Sequence, residues 1–155
     1  MNIFNPALCL SKELSNSWCA HIESITPNKV PVEIIEGVPR LKLIHDSNSG
    51  LSDWFAIALP LSPSWEPQSL EGYTSIHFTI AARSGSGGLV RIEDDKGVES
   101  LDFDFSAFLG GEGEEAAVEI PLIDMGTSLD LARIKLIKFI GYQNSAFYIS
   151  QIRAV

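Results

Sequence analysis

Between Tyr73 and Arg83 the chain alternates residue by residue. Ile76, Phe78 and Ile80 share one parity, and Ser75, His77, Thr79 and Ala81 share the other. On an extended backbone successive side chains leave on opposite sides, so this pattern predicts a β-strand with one buried and one wet face. The same grammar recurs along the chain. Val90 and Ile92 alternate with Arg91 and Glu93 in the run Leu89–Glu93, and Leu101, Phe103 and Phe105 oppose Asp102 and Asp104 in Ser100–Phe105. Val32–Ile35 and Arg40–His45 flank Glu36-Gly37-Val38-Pro39, a hairpin signal. Trp54–Leu59 is a further run, stopped by Pro60, and Ala116–Leu122 and Phe147–Val155 are extended as well. In the last of these the spacing of Phe147, Ile149 and Ile152 slips by one near Ser150, which predicts a β-bulge.

Turn chemistry separates these runs. Leu61–Gly72 carries three prolines and no periodicity, and Asp94-Asp95-Lys96-Gly97 and Gly110–Glu115 are loop-forming. One stretch admits a helical turn: Leu131–Ile134, with Asp130 placed to cap it, before the β-branched and aromatic run Ile137–Ile140. Helices do not alternate with strands, so a parallel sheet is excluded. Eight to ten short strands with turns between them predict two antiparallel sheets packed face to face, in an all-β sandwich. The expected organisation is one domain over residues 1–155, with residues 1–28 assigned to no element. At 155 residues such a domain buries about 68–70% of the surface of its unfolded chain and needs no metal or disulfide to fold.

Charge narrows the partners. Twenty acidic residues against eleven basic ones give a net charge of −9. Nucleic acid and anionic membrane surfaces, whose binding rests on clustered Lys and Arg, are disfavoured. No run is long enough to span a bilayer. The first ten residues lack a basic n-region, and Pro6 breaks their short apolar stretch, so no signal peptide is recognisable. The expected location is the cytoplasm, or outside the cell after removal of a leader. Cys9 and Cys19 match no redox or zinc spacing.

From Trp54 onward the pattern resembles the galactose-binding-like jelly rolls, which include many non-catalytic carbohydrate-binding modules. Pro67–Phe78 is similar to their lead into a central strand, and Val90–Gly97 to the strand and turn that follow. Val118-Glu119-Ile120-Pro121-Leu122 with Asp130–Phe139 is similar to a further segment, and Phe147–Ile152 to the closing strand. The resemblance implies an antiparallel jelly-roll β-sandwich that binds an oligo- or polysaccharide on a concave sheet face without catalysis. The same pattern occurs in intracellular assembly-factor domains, so a protein-interaction domain with no sugar ligand is the alternative. In such modules the closing strand often carries an Asp that helps hold a structural calcium. Ser150 and Gln151 stand there instead, and no cofactor is expected. Asp46-Ser47-Asn48-Ser49-Gly50 begins like a calcium loop, but Leu51 and Ile57 occupy the positions of its required Gly and Glu, which leaves a plain turn.

Sugar recognition requires an aromatic face for the C–H side of a pyranose and polar groups for its hydroxyls. Trp54, out of phase with Phe55, Ile57 and Leu59, is the candidate stacking residue. His77, Thr79, Arg91, Asp102 and Asp104 lie on the polar parities of their strands and are candidate ligand contacts, with Tyr142 at a turn beside them. Trp65 in the proline-rich loop and Trp18 near the N-terminus read as core packing. Asp102 and Asp104, about 7 Å apart on one face, approach glycosidase spacing, but nothing in the sequence marks either for a raised pKa, and a solvated face is the simpler reading. His21, His45 and His77 show no metal-ligand spacing, no Gly-x-Ser-x-Gly elbow occurs, and Ser84–Gly88 lacks the Lys of a phosphate loop. No enzymatic constellation is expected.

Overall fold

In a computed structural model the described residues are 1–4, 21–22, 32–35, 38–44, 54–62, 64, 66–84, 87–126, 128–142 and 146–155. They form eleven strands and three short 3-10 turns. The strands are β1 (Asn2–Phe4), β2 (His21–Ile22), β3 (Val32–Ile35), β4 (Val38–Ile44), β5 (Trp54–Pro60), β6 (Ser75–Ser84), β7 (Gly88–Asp94), β8 (Phe103–Asp104), β9 (Glu115–Pro121), β10 (Ile134–Tyr142) and β11 (Ala146–Ala154). They make two antiparallel sheets. The first runs β3-β4-β11-β6-β9, with β1 also paired to β11; the second runs β2-β5-β10-β7-β8. The expected antiparallel sandwich is therefore present.

The parity read from the sequence decides what each strand buries. Ile76, Phe78 and Ile80 of β6 and Val118 and Ile120 of β9 face Val90 and Ile92 of β7 and Ile137 and Phe139 of β10 across the core. Phe78 packs edge-on to Phe139 at 5.1 Å and to Phe105 at 6.3 Å, and Phe105 meets Phe147 edge-on at 5.4 Å. This edge-to-face geometry suits the ring quadrupoles and ties the two sheets together.

Local chemistry fixes the connections. The Asp94 carboxylate accepts the backbone N–H groups of Lys96 and Val98, both at 2.9 Å, and Gly97 takes the left-handed φ of 81° that the tight turn requires. Asp130 accepts the Ala132 N–H and caps the 3-10 turn Leu131–Arg133, as its position predicts. The bulge expected near Ser150 is present, since β11 spends three steps from Ile149 to Ile152 while β6 spends two from Ile80 to Phe78.

Four expectations are corrected. The hairpin turn is tighter than Glu36–Pro39, because Val38 and Pro39 belong to β4 and pair with Ile35 and Ile34. Pro39 is tolerated there because β11 pairs with β4 only from Leu41 onward, so no second neighbour needs its missing N–H. The Ser100–Phe105 run is not one strand, and only Phe103 and Asp104 form β8. Ser100 Oγ takes the Ile92 N–H, and the Leu101 N–H turns away to the Met125 carbonyl. Leu101, expected inside with Phe103 and Phe105, is consequently 65% exposed, whereas Phe105 is buried. Residues 1–28, given no element from the sequence, contribute β1 and β2 at strand positions of the two sheets.

Candidate functional site

Part of the outer face of the β2-β5-β10-β7-β8 sheet is buried. Ala58 of β5 and Leu136 and Lys138 of β10 lie outside the core cluster, on the parity opposite Leu59, Ile137 and Phe139, and yet are only 1%, 7% and 8% exposed. Towards β8 the face opens, and the Asp102 side chain is 42% exposed. A ladder of charges crosses this face. Lys138 Nζ lies 2.6 Å from Glu93 and 2.9 Å from Glu99. Arg91, in register with Lys138, donates to Glu99 at 3.0 Å and grips Asp102 through two guanidinium nitrogens. Such a planar fork on a carboxylate is the strongest form of this pair.

These contacts set the protonation of the groups. The Asp102 hydrogen bond, opposed in part by burial, raises the Arg91 guanidinium above its ordinary range. The hydrogen bond from Lys138 holds the Glu99 carboxyl below the usual carboxylate range despite burial, with Arg91 adding to it. Asp104 accepts the Ser106 N–H at 2.8 Å, and its hydrogen bonds to Ser106 lower its pKa as well. Arg91 clamps Asp102, and the hydrogen bonds from Ser106 favour the ionised form of Asp104.

At one end of the same sheet, Trp54 of β5 stands in register with Tyr142 of β10, at positions sharing the parity of Ala58 and Lys138. The backbone thus assembles Trp54, Arg91, Asp102, Asp104 and Tyr142 on one sheet. It separates them from His77 and Thr79. Those two belong to β6 in the opposite sheet, whose outer face lies on the far side of the core. The seven candidates do not form one surface, and His77 and Thr79 are removed from this site. Glu93, Glu99 and Lys138 are members that the sequence reading missed. Lys138 sits in a run read as apolar strand, and Glu99 precedes the predicted strand by one residue. The lone signal was the parity of Glu93, which matches Arg91.

Trp18, Trp65, Cys9, Cys19, residues 46–50 and residues 143–144 lie outside the described residues. Among the described residues no three His, Cys, Asp or Glu side chains converge to hold a metal ion, and no helix is long and apolar enough to cross a membrane.

No family model matches the chain, and no curated protein does. Solved structures do match. A family 30 carbohydrate-binding module superimposes with a TM-score of 0.67 at 18% identity, over 87% of this chain and 80% of that one. A family 11 carbohydrate-binding module from Clostridium thermocellum, in complex with a β-1,3-1,4-mixed-linked tetrasaccharide, gives a TM-score of 0.60 at 14% identity over 88% of each chain. An exo-β-agarase matches with a TM-score of 0.63 at 15% identity, along the whole of this chain but only 25% of its own. The fold is that of the jelly-roll carbohydrate-binding modules, and it also occurs as part of larger enzymes.

Proposed function

We propose that this domain is a non-catalytic module that binds an oligo- or polysaccharide on the outer face of the β2-β5-β10-β7-β8 sheet. The observation that carries the reading is the charge ladder of Lys138, Glu93, Glu99, Arg91 and Asp102, with Trp54 and Tyr142 paired in register at the end of the same sheet. Sugars need the two components that this face combines. Trp54 and Tyr142, in register at the end of the sheet, are of the residue types that stack on the C–H face of a pyranose ring. Half-buried Arg91 and exposed Asp102 and Asp104 offer donors and acceptors to its hydroxyls. The charges are already neutralised against one another, so their geometry is set before a ligand arrives and little ordering cost falls on binding. The likeness in fold to modules of families 30 and 11 supports the same reading.

Affinity electrophoresis through gels containing soluble β-glucan, xylan, mannan or galactan tests it, with wild type, Trp54→Ala and Asp102→Ala side by side. The expected result is retardation of the wild type by at least one polysaccharide. Trp54→Ala should lose about 2 kcal/mol or more of binding, over tenfold in Kd, with an unchanged unfolding midpoint. A wild type retarded by none of them, or a Trp54→Ala variant retarded equally, defeats the proposal.

A further inference from the structure

The opposite outer face, that of the β3-β4-β11-β6-β9 sheet, carries a depression of about 410 Å³ between β6, β9 and β11. Its origin is legible in the register. Thr79 pairs with Ala117, two small residues at one level, while the next level pairs the larger His77 with Glu119. On the other side of β6 the bulge in β11 falls opposite Thr79, and it sets Ser150 and Gln151 at the rim and Arg153 opposite His77. A short floor between taller walls leaves a cup. Its volume lies within the ~300–1,000 Å³ of ordinary small-molecule sites.

We infer that this cup is a second, independent ligand site, built for a single neutral sugar unit held by hydrogen bonds. The donor and acceptor inventory of the wall selects the class. Arg153 only donates, and it makes no ion pair among the described residues. Glu119 only accepts. His77, 28% exposed at its side chain, is held by Ser75 Oγ at 2.7 Å and lies 3.7 Å from Glu119. Ser150 and Gln151 can do both. A sugar hydroxyl also does both, so a ring with several hydroxyls can satisfy the whole set. A carboxylate or phosphate, an acceptor alone, would face Glu119 unpaired, and a cation would face Arg153. The one aromatic residue at the wall, Phe78, is only 3% exposed with its ring in the core, so stacking contributes nothing. Hydrogen bonds without stacking give weak binding, in about the millimolar range. The site shares no residue with the charge ladder on the other sheet and does not depend on that reading.

The test is backbone amide NMR of the full chain titrated with D-glucose, D-galactose, D-mannose, D-xylose and, separately, D-galacturonate. At least one neutral sugar should shift the amides of Thr79, Ala117, Glu119 and Gln151 saturably, while galacturonate does not. Arg153→Ala and Gln151→Ala, each with the wild-type spectrum elsewhere, should weaken that titration by about tenfold and by a few fold respectively. Shifts at Arg91, Glu99 and Lys138 report the charge-ladder face separately. No saturable shift on the β6-β9-β11 face, titrations unchanged in both variants, or a preference for galacturonate overturns the inference.

Discussion

Lys138→Met is the sharpest perturbation of the charge ladder. The Lys138 side chain is 10% exposed, and its ammonium is shared between Glu93 at 2.6 Å and Glu99 at 2.9 Å. Methionine keeps an unbranched apolar stem of similar length and deletes only the charge. Removing one partner of a fully buried ion pair costs about 3–5 kcal/mol, because the other charge is left desolvated. Here that figure must be discounted. Glu99 is 36% exposed and keeps Arg91 at 3.0 Å, so Glu93, 18% exposed, is the carboxylate left stranded. A loss of about 2–3 kcal/mol follows, equal to a fall of about 5–10 °C in Tm for a chain of this size. The pH dependence is diagnostic. The folded Glu99 carboxyl is held below its ordinary range, so its contribution in the wild type is complete above about pH 5 and disappears as pH falls through the folded value. In the variant Glu99 has lost the Lys138 hydrogen bond that holds its pKa down, so less of this pH-dependent stabilisation remains to be lost in acid. The stability gap between wild type and variant must therefore narrow as pH drops below about 4. Urea denaturation of both proteins across that range measures it. A neutral-pH loss under about 1 kcal/mol, or a gap that stays constant into acid, refutes the view of Lys138 as the electrostatic keystone of this face.

Other expected outcomes follow from the same structure. Gly88→Ala should cost about 1–3 kcal/mol, since an added Cβ would meet the Ile140 carbonyl oxygen at 2.4 Å and the Phe105 ring at 2.7 Å; chemical denaturation reads it directly. Asp94→Ala should cost about 2–4 kcal/mol, because the buried carboxylate serves the N–H groups of Lys96 and Val98 at 2.9 Å, and Asp94→Asn should recover part of the loss. Phe105→Ala should cost about 3–5 kcal/mol and Leu101→Ala within about 0.5, a contrast that separates the buried from the exposed member of one sequence alternation when both Tm values are measured.

Period-two alternation carried most of the fold. It located the strand runs, the bulge at Ser150 and the inward parity of Ile76, Phe78, Val90 and Ile92, because burial of one strand face is a strong local constraint on sequence. Asp130 at its cap and Asp94–Gly97 at their turn were equally readable, since each acts on backbone atoms two to four residues away. Leu101 was not. Its exposure comes from the Ser100 hydroxyl taking the Ile92 N–H in place of a ladder hydrogen bond and from the Met125 carbonyl capturing its own N–H, and both Ile92 and Met125 lie outside the run Ser100–Phe105.

The candidate site failed in one specific respect, and the reason is geometrical. Alternation tells whether a side chain faces the core, but a sandwich has two surfaces that do not, and parity is the same on both. His77 and Arg91 both read as outward, yet β6 pairs with β11 and β9 while β7 pairs with β10 and β8. Which outside a residue reaches depends on strand pairing, a long-range property that no window of the sequence contains. Separation through a packed core also makes a quantitative claim. Sites that share no partner contribute additively, so the effects of Arg153→Ala and Asp102→Ala on any measured binding should sum to within about 0.5 kcal/mol in the double variant. Coupling of about 1 kcal/mol or more between them would mean that one ligand touches both faces, and the two surfaces would have to be treated as a single site.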